Sequence, residues 1–140
     1  MLFSDQLDRY SPYMLAVLRI ATALLFMEHG TQKLLGFPPG SFPQPPVFSL
    51  SGLAGILEMV GGVMILIGVY TRAVAFILAG QMAVAYFIGH APEGFFPVNN
   101  GGDAAILYCF VFLYLVFAGP GVWSIDGHHA HKRLTFDPVP

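Results

Sequence analysis

The sequence predicts an all-α fold, a four-transmembrane-helix antiparallel bundle with both termini cytoplasmic, and three observations predict it. Apolar residues make up 56% of the 140 residues and charged residues only 10%, against roughly one-quarter charge in soluble domains, and mean hydropathy is +0.68. Four segments have spanning character, residues 13–35, 50–69, 73–90 and 103–119, the last two near the lower length limit. The cations Arg9, Arg72, Lys132 and Arg133 all fall on the side holding the termini, whereas the long loops contain neither Lys nor Arg, so the positive-inside bias places both termini in the cytoplasm. The alternative, a buried soluble bundle, needs polar surface that this composition lacks.

The chain supports a single domain, residues 1–140. Its apolar run from Tyr13 is too long for a signal-peptide core and lacks a small-residue cleavage site, so the first helix is expected to stay in the mature protein. That helix carries Arg19, Glu28, His29, Gln32 and Lys33. Each ion near mid-bilayer costs roughly 3 kcal/mol on insertion scales, so the segment needs partners. Arg19, Thr22, Phe26, His29 and Lys33 share one stripe, with Glu28 and Gln32 on the adjoining one. The opposite arc, Ala16, Ile20, Leu24 and Met27, reads as facing lipid. Arg19 lies close enough to the inner interface to snorkel.

Loop one packs five prolines between Phe37 and Phe48, which excludes helix and favours an extended aromatic cap. The second helix bears Glu58 on a face of small residues, Ser51, Ala54, Gly55, Gly61 and Gly62. Small residues let helices approach closely in lipid, so Glu58 should point into the bundle. The short connection Tyr70, Thr71, Arg72 makes helices two and three an antiparallel hairpin, with the long loops sharing one side. Tyr10, Tyr13, Tyr70 and Trp123 line the other as an aromatic belt. The third helix carries Gln81, Tyr86 and His90. A second cap, with Phe95 and Phe96, leads to Asn100 and Asp103 at the start of the fourth. The tail 124–140 reads as a solvated cytoplasmic end in which His128, His129 and His131 could bind a transition metal weakly.

The polar groups, Arg19 excepted, therefore meet in the outward half of the bundle. Expected pairs are Glu28 or Glu58 with Lys33 or His29, and Asp103 near His90. Glu58, His29 and Glu28 are the candidate proton-transfer groups. Phe26, Gln32, Lys33, Gln81, Tyr86, His90, Asn100 and Asp103 are the candidate substrate-binding groups, since intramembrane ionisable residues point to function. The bland alternative is an inert network that fixes helix register. A dinuclear metal site needs Glu-x-x-His on two helices, and Glu28 stands directly beside His29 instead, so no metal is expected. The single cysteine, Cys109, excludes an internal disulfide and a CxxC redox pair. Phosphate loops and Rossmann fingerprints are absent, and a net charge of -2 argues against nucleic acid.

Taken together, HGTQKL (His29 to Leu34), EMVGG (Glu58 to Gly62), the NGG-acid run ending at Asp103 and GPGVWSID (Gly119 to Asp126) closely resemble the DoxX family of small four-helix membrane proteins, over Arg19 to Asp126. That family usually has glutamate where this chain has Asp103, one methylene shorter. The resemblance implies a bacterial cytoplasmic (inner) membrane protein linked to oxidoreduction. Its relatives include a small subunit of a thiosulfate:quinone oxidoreductase and proteins of quinone, catechol and thiol stress responses. The expected function is therefore a membrane subunit of a quinone-linked oxidoreductase or oxidative-stress redox system. A polar pocket would hold a quinone-like small molecule, with no intrinsic cofactor and a redox-enzyme partner subunit supplying electrons. Phe26, Phe95 and Phe96 would flank the ring. The alternative is a non-catalytic scaffold, or a carrier for a small hydrophobic molecule. The Gly-rich face of helix two serves packing within the chain or in a homo-oligomer.

Overall fold

The computed structural model describes residues 3–41 and 43–136, with the side chains of 131–136 excepted, and these residues are all-helical with no strand. Helix α1 spans Phe3–Leu35, α2 Leu50–Ile67 and α3 Thr71–Ala85, the last running on into a π turn, Tyr86–His90, and a 3-10 turn, Ala91–Glu93. A single turn, α4 (Pro97–Asn100), precedes α5 (Asp103–Ala118), and α6 (Ile125–Phe136) follows. Three of these helical stretches, Phe3–Leu35, Leu50–Ile67 and Thr71–Glu93, are long and apolar enough to cross a bilayer. The apolar helix Asp103–Ala118 is shorter.

The element ends follow from local chemistry. Helix α1 starts at Phe3, ten residues before the expected Tyr13, with Asp5 in its first turn and Pro12 inside it. Hydropathy marks where apolar residues begin, and the helix extends beyond that point through polar residues. Ser49 caps α2, its hydroxyl accepting the Gly52 amide at 3.1 Å. Gly68, at φ +69°, ends α2 by donating its amide to Ile65 O. The connection to α3 is thus Gly68, Val69 and Tyr70, and Thr71 and Arg72 belong to α3. The described residues of loop one, 36–41 and 43–49, are non-helical as expected.

Helix α1 packs closely on α2, and α3 on α5; α2 meets α3 along a shorter seam, and α1 touches α5 little. Phe26, Ile65, Leu78, Phe112 and Leu115 fill the centre, where the Phe26 and Phe112 rings meet edge to face at 4.9 Å. The α1–α2 contact depends on missing side chains. A β-carbon at Gly62 would lie 2.4 Å from Met27 Cγ, and one at Gly30 would lie 2.8 Å from Met59 Cγ.

Two expectations about α1 are corrected. Its inward stripe is Ala16, Arg19, Thr22, Ala23, Phe26 and Gly30, which keeps Arg19, Thr22 and Phe26 of the expected stripe but leaves His29 exposed and Lys33 only half-buried. Of the arc assigned to lipid, only Leu24 is exposed, whereas Ala16 is fully buried and Met27 packs on Gly62. Both arcs are apolar, and apolarity does not separate core from lipid face. Arg19 does not snorkel. It is fully buried, and its Nη2 donates to Trp123 O at 2.7 Å and to Val122 O at 3.4 Å.

Candidate functional site

Glu58 sits on the small-residue face of α2, 2% exposed. The carboxylate Oε1 accepts a charge-assisted hydrogen bond from Lys33 Nζ, reaching over from the end of α1. That approach is possible because Gly55 leaves room, its β-carbon position lying 3.0 Å from Lys33 Cβ. From α3, Gln81 Nε2 donates to Glu58 Oε1 at 3.3 Å and to Ala54 O at 3.2 Å. Three helices therefore meet at one carboxylate oxygen. The other oxygen, Oε2, and Gln81 Oε1 are both buried without a hydrogen-bond partner, which is costly unless something else completes them.

Beside this cluster a groove of about 650 Å³ runs between α2 and α3. Its α2 wall is Leu50, Leu53, Ala54 and Leu57, and its other wall is Ile77, Gly80, Gln81 and Val84 of α3 with Ile88 of the π turn, each set recurring at helical spacing. Lys33, Gln81 and His90 are its principal polar lining.

His90 belongs to a second cluster that holds the loop-side end together. Its Nδ1 lies 3.0 Å from Asn100 O. A carbonyl only accepts, so Nδ1 carries the proton and a neutral ring keeps its lone pair on Nε2. Asn100, 8% exposed, donates Nδ2–H to Gly94 O at 2.8 Å and accepts the Gly102 amide at 2.8 Å, while Tyr86 stacks on His90.

Of the residues expected at the site, Glu58, Lys33 and Gln81 come together, with His90 further along the groove. His29 is exposed, edge-on to Tyr108 with ring centroids 5.9 Å apart, and stands within electrostatic range of Glu58 without bonding to it. Glu28 faces outward next to Leu24 and Leu25. Gln32 ties down loop one through Pro38 O at 3.1 Å, and Phe26 is a core residue. Asp103 is exposed in the first turn of α5, and His90 meets the Asn100 carbonyl rather than that acid. Phe95 and Phe96 are exposed and pack on each other at 5.2 Å. Among the described residues no group of His, Cys, Asp and Glu is arranged to hold a metal ion. His128 and His129 are exposed on α6, and the His131 side chain lies outside the described residues.

Sequence reasoning missed the opposite end, where the GPGVWSID motif does structural work. The expected solvated tail is largely helix α6, and Asp126 in its first turn reaches back to α3. Its carboxylate accepts the Tyr70 amide at 2.9 Å and the Thr71 amide at 2.8 Å, and its own amide donates to Gly68 O at 2.9 Å. Burial raises the Asp126 pKa, but the amide bonds from Thr71 and Tyr70 outweigh it and leave the carboxyl below its ordinary value. Arg72 donates to Val116 O and Phe117 O at 2.5 and 2.6 Å, closing the end of α5. The signal available in sequence was a lone acid at fixed spacing after Gly-Pro-Gly.

The family model named DoxX matches residues 14–91. An uncharacterized protein of Haemophilus influenzae is 44% identical over 137 residues, covering 91% of this chain and 99% of the relative. An uncharacterized membrane protein of Mycobacterium tuberculosis is 28% identical, covering 84% and 82%. The inner membrane protein YphA of Escherichia coli is 27% identical, covering 82% and 89%. No solved structure matches. Matched by the family model over more than half its length, the chain belongs to the DoxX family of small membrane proteins.

Proposed function

We propose that this protein is the membrane subunit of a quinone-linked redox system, holding a quinone-like ring where the α2–α3 groove meets Lys33, Glu58 and Gln81. On this reading the chain crosses the inner membrane four times, both termini are cytoplasmic, and the site lies in the outward half.

The observation that carries the proposal is the half-satisfied polar cluster: Glu58 Oε2 and Gln81 Oε1 are buried and unpartnered beside an apolar groove. Reduction of a quinone to a quinol takes two electrons and two protons. Lys33 can donate a hydrogen bond to a ring oxygen and stabilise the charge that develops there, and Glu58 can pass a proton through its free oxygen. On this reading the electrons come from a redox-enzyme partner subunit that carries a flavin, haem or iron–sulfur centre. On the same reading His29 resupplies the proton, supported by its electrostatic influence on Glu58. The same groove also suits a carrier of a small hydrophobic molecule, which would move its cargo without electron transfer.

Titration of the purified protein with a ubiquinone analogue tests the site. We expect saturable binding that weakens about tenfold in Glu58→Gln, the size of one lost charge-assisted hydrogen bond. Absence of saturation, or equal affinity in the variant, overturns the reading. Flux of the analogue across proteoliposomes without an electron donor would favour the carrier.

A further inference from the structure

The glycines of this bundle fall into two kinds. On the α1–α2 and α2–α3 contacts, β-carbons added at Gly30, Gly55, Gly61 and Gly62 would lie 2.4 to 3.0 Å from neighbouring atoms, so these glycines exist to let helices touch. Gly80 and Gly89 are different: an added β-carbon at either meets nothing within 4 Å. Both line the α2–α3 groove, and their backbone conformation does not demand glycine. Gly80 lies in the interior of α3, where glycine costs about 1 kcal/mol relative to alanine and no packing contact offsets that cost, whereas Gly89 lies in the π turn that follows. What these two positions provide is empty space along one wall of the groove.

The rest of the lining shows what the space suits. The walls are largely apolar, with Leu50, Leu53, Leu57, Ile77, Val84 and Ile88, and the polar groups are Lys33, Ser51, Gln81 and His90. From Ile77 to His90 the α3 wall extends about 20 Å. Exposure of Leu53, Leu57, Ile77, Val84 and Ile88 on the protein surface means that the groove opens sideways, onto acyl chains once the helices are in a bilayer. A water-soluble ligand would find little to bind along most of this length.

We infer that the α2–α3 groove takes a membrane-resident amphiphile laterally from the bilayer, its ring at Lys33 and Gln81 and its long apolar tail lying over the bare backbone at Gly80. This rests on the ring site proposed above and adds the substrate class and the access route. Gly80 is then a specificity-determining residue for tail length, outside the proton chemistry.

The test uses the full chain in lipid nanodiscs with two probes, a ubiquinone carrying a decyl tail with a photoreactive group at its end, and the same ring without a tail. We expect crosslinks confined to the groove walls at Leu53, Leu57, Ile77 and Val84, and at least tenfold weaker binding of the tail-less ring. Gly80→Leu should abolish the crosslinks and weaken the tailed probe at least tenfold, with the tail-less ring unaffected; a β-carbon at Gly80 meets no atom within 4 Å, and unchanged binding of the tail-less ring reports that the fold is retained. Equal binding of both rings with no effect of Gly80→Leu overturns the inference and leaves the Glu58 ring site standing. Crosslinks spread over other lipid-facing residues such as Val60 and Phe110 also overturn it. Absence of saturable binding by either probe removes the ring site and the inference together.

Discussion

At the residue scale the decisive pair is Lys33 and Glu58, because a buried ion pair is expensive to break and cheap to replace. Removing Lys33, itself 29% exposed, leaves Glu58 at 2% exposure uncompensated, a loss of up to about 3–5 kcal/mol. Lys33→Met should therefore lower the unfolding midpoint in detergent sharply, and adding Glu58→Leu should recover most of it. If the double variant is as stable as wild type yet no longer binds the quinone analogue, the pair is kept for function; continued binding would return it to a register-fixing role. Glu58 was legible in the sequence because its neighbours on α2 are small, and small residues mark contact surfaces in lipid. Glu28 and His29 were not, because polar residues fall on several arcs of that last stretch of α1, Glu28 to Lys33, and hydropathy cannot say which of those arcs meets protein.

At the scale of elements, α3 illustrates stability supplied from a distance. Its N-cap, Tyr70, sits at φ +48° with no side-chain cap, and Asp126 supplies the missing acceptors from 56 residues away. Asp126→Ala should cost about 1 kcal/mol, as loss of a helix cap does, and be read as a lower melting temperature with faster amide exchange at Tyr70 and Thr71. Because the folded carboxyl titrates below its unfolded value of about 3.9, its contribution is complete above that pH and fades as acid takes the pH down through the folded value. Protection of the two amides, relative to their intrinsic exchange at each pH, should therefore fall below about pH 4 in the wild type and show no such step in the alanine variant. The order of the apolar helices and the tight hairpin were legible from run lengths. The docking of α6 was not, since it depends on backbone groups at Gly68, Tyr70 and Thr71 that composition cannot display.

For the whole molecule, the long loops leave one end of the bundle and the connection 68–70 leaves the other, together with α6, Tyr13 and Trp123. The candidate site thus lies toward the loop end, and its sidedness in the membrane decides which aqueous phase exchanges protons with it. The orientation we propose puts the end bearing Arg9 and Arg72 in the cytoplasm and the site outward, on the positive-inside bias. The single cysteine makes this measurable. In a Cys109→Ser background, a cysteine placed at Ser41 in loop one should react with a membrane-impermeant maleimide in intact spheroplasts, and one placed at Ala130 on α6 only after lysis. Asp103, exposed at the start of α5, should follow Ser41 if α5 completes a fourth crossing. Labelling of position 103 together with 130 would mean that this 16-residue helix does not cross, and the protons of the Glu58 site would then need a different route.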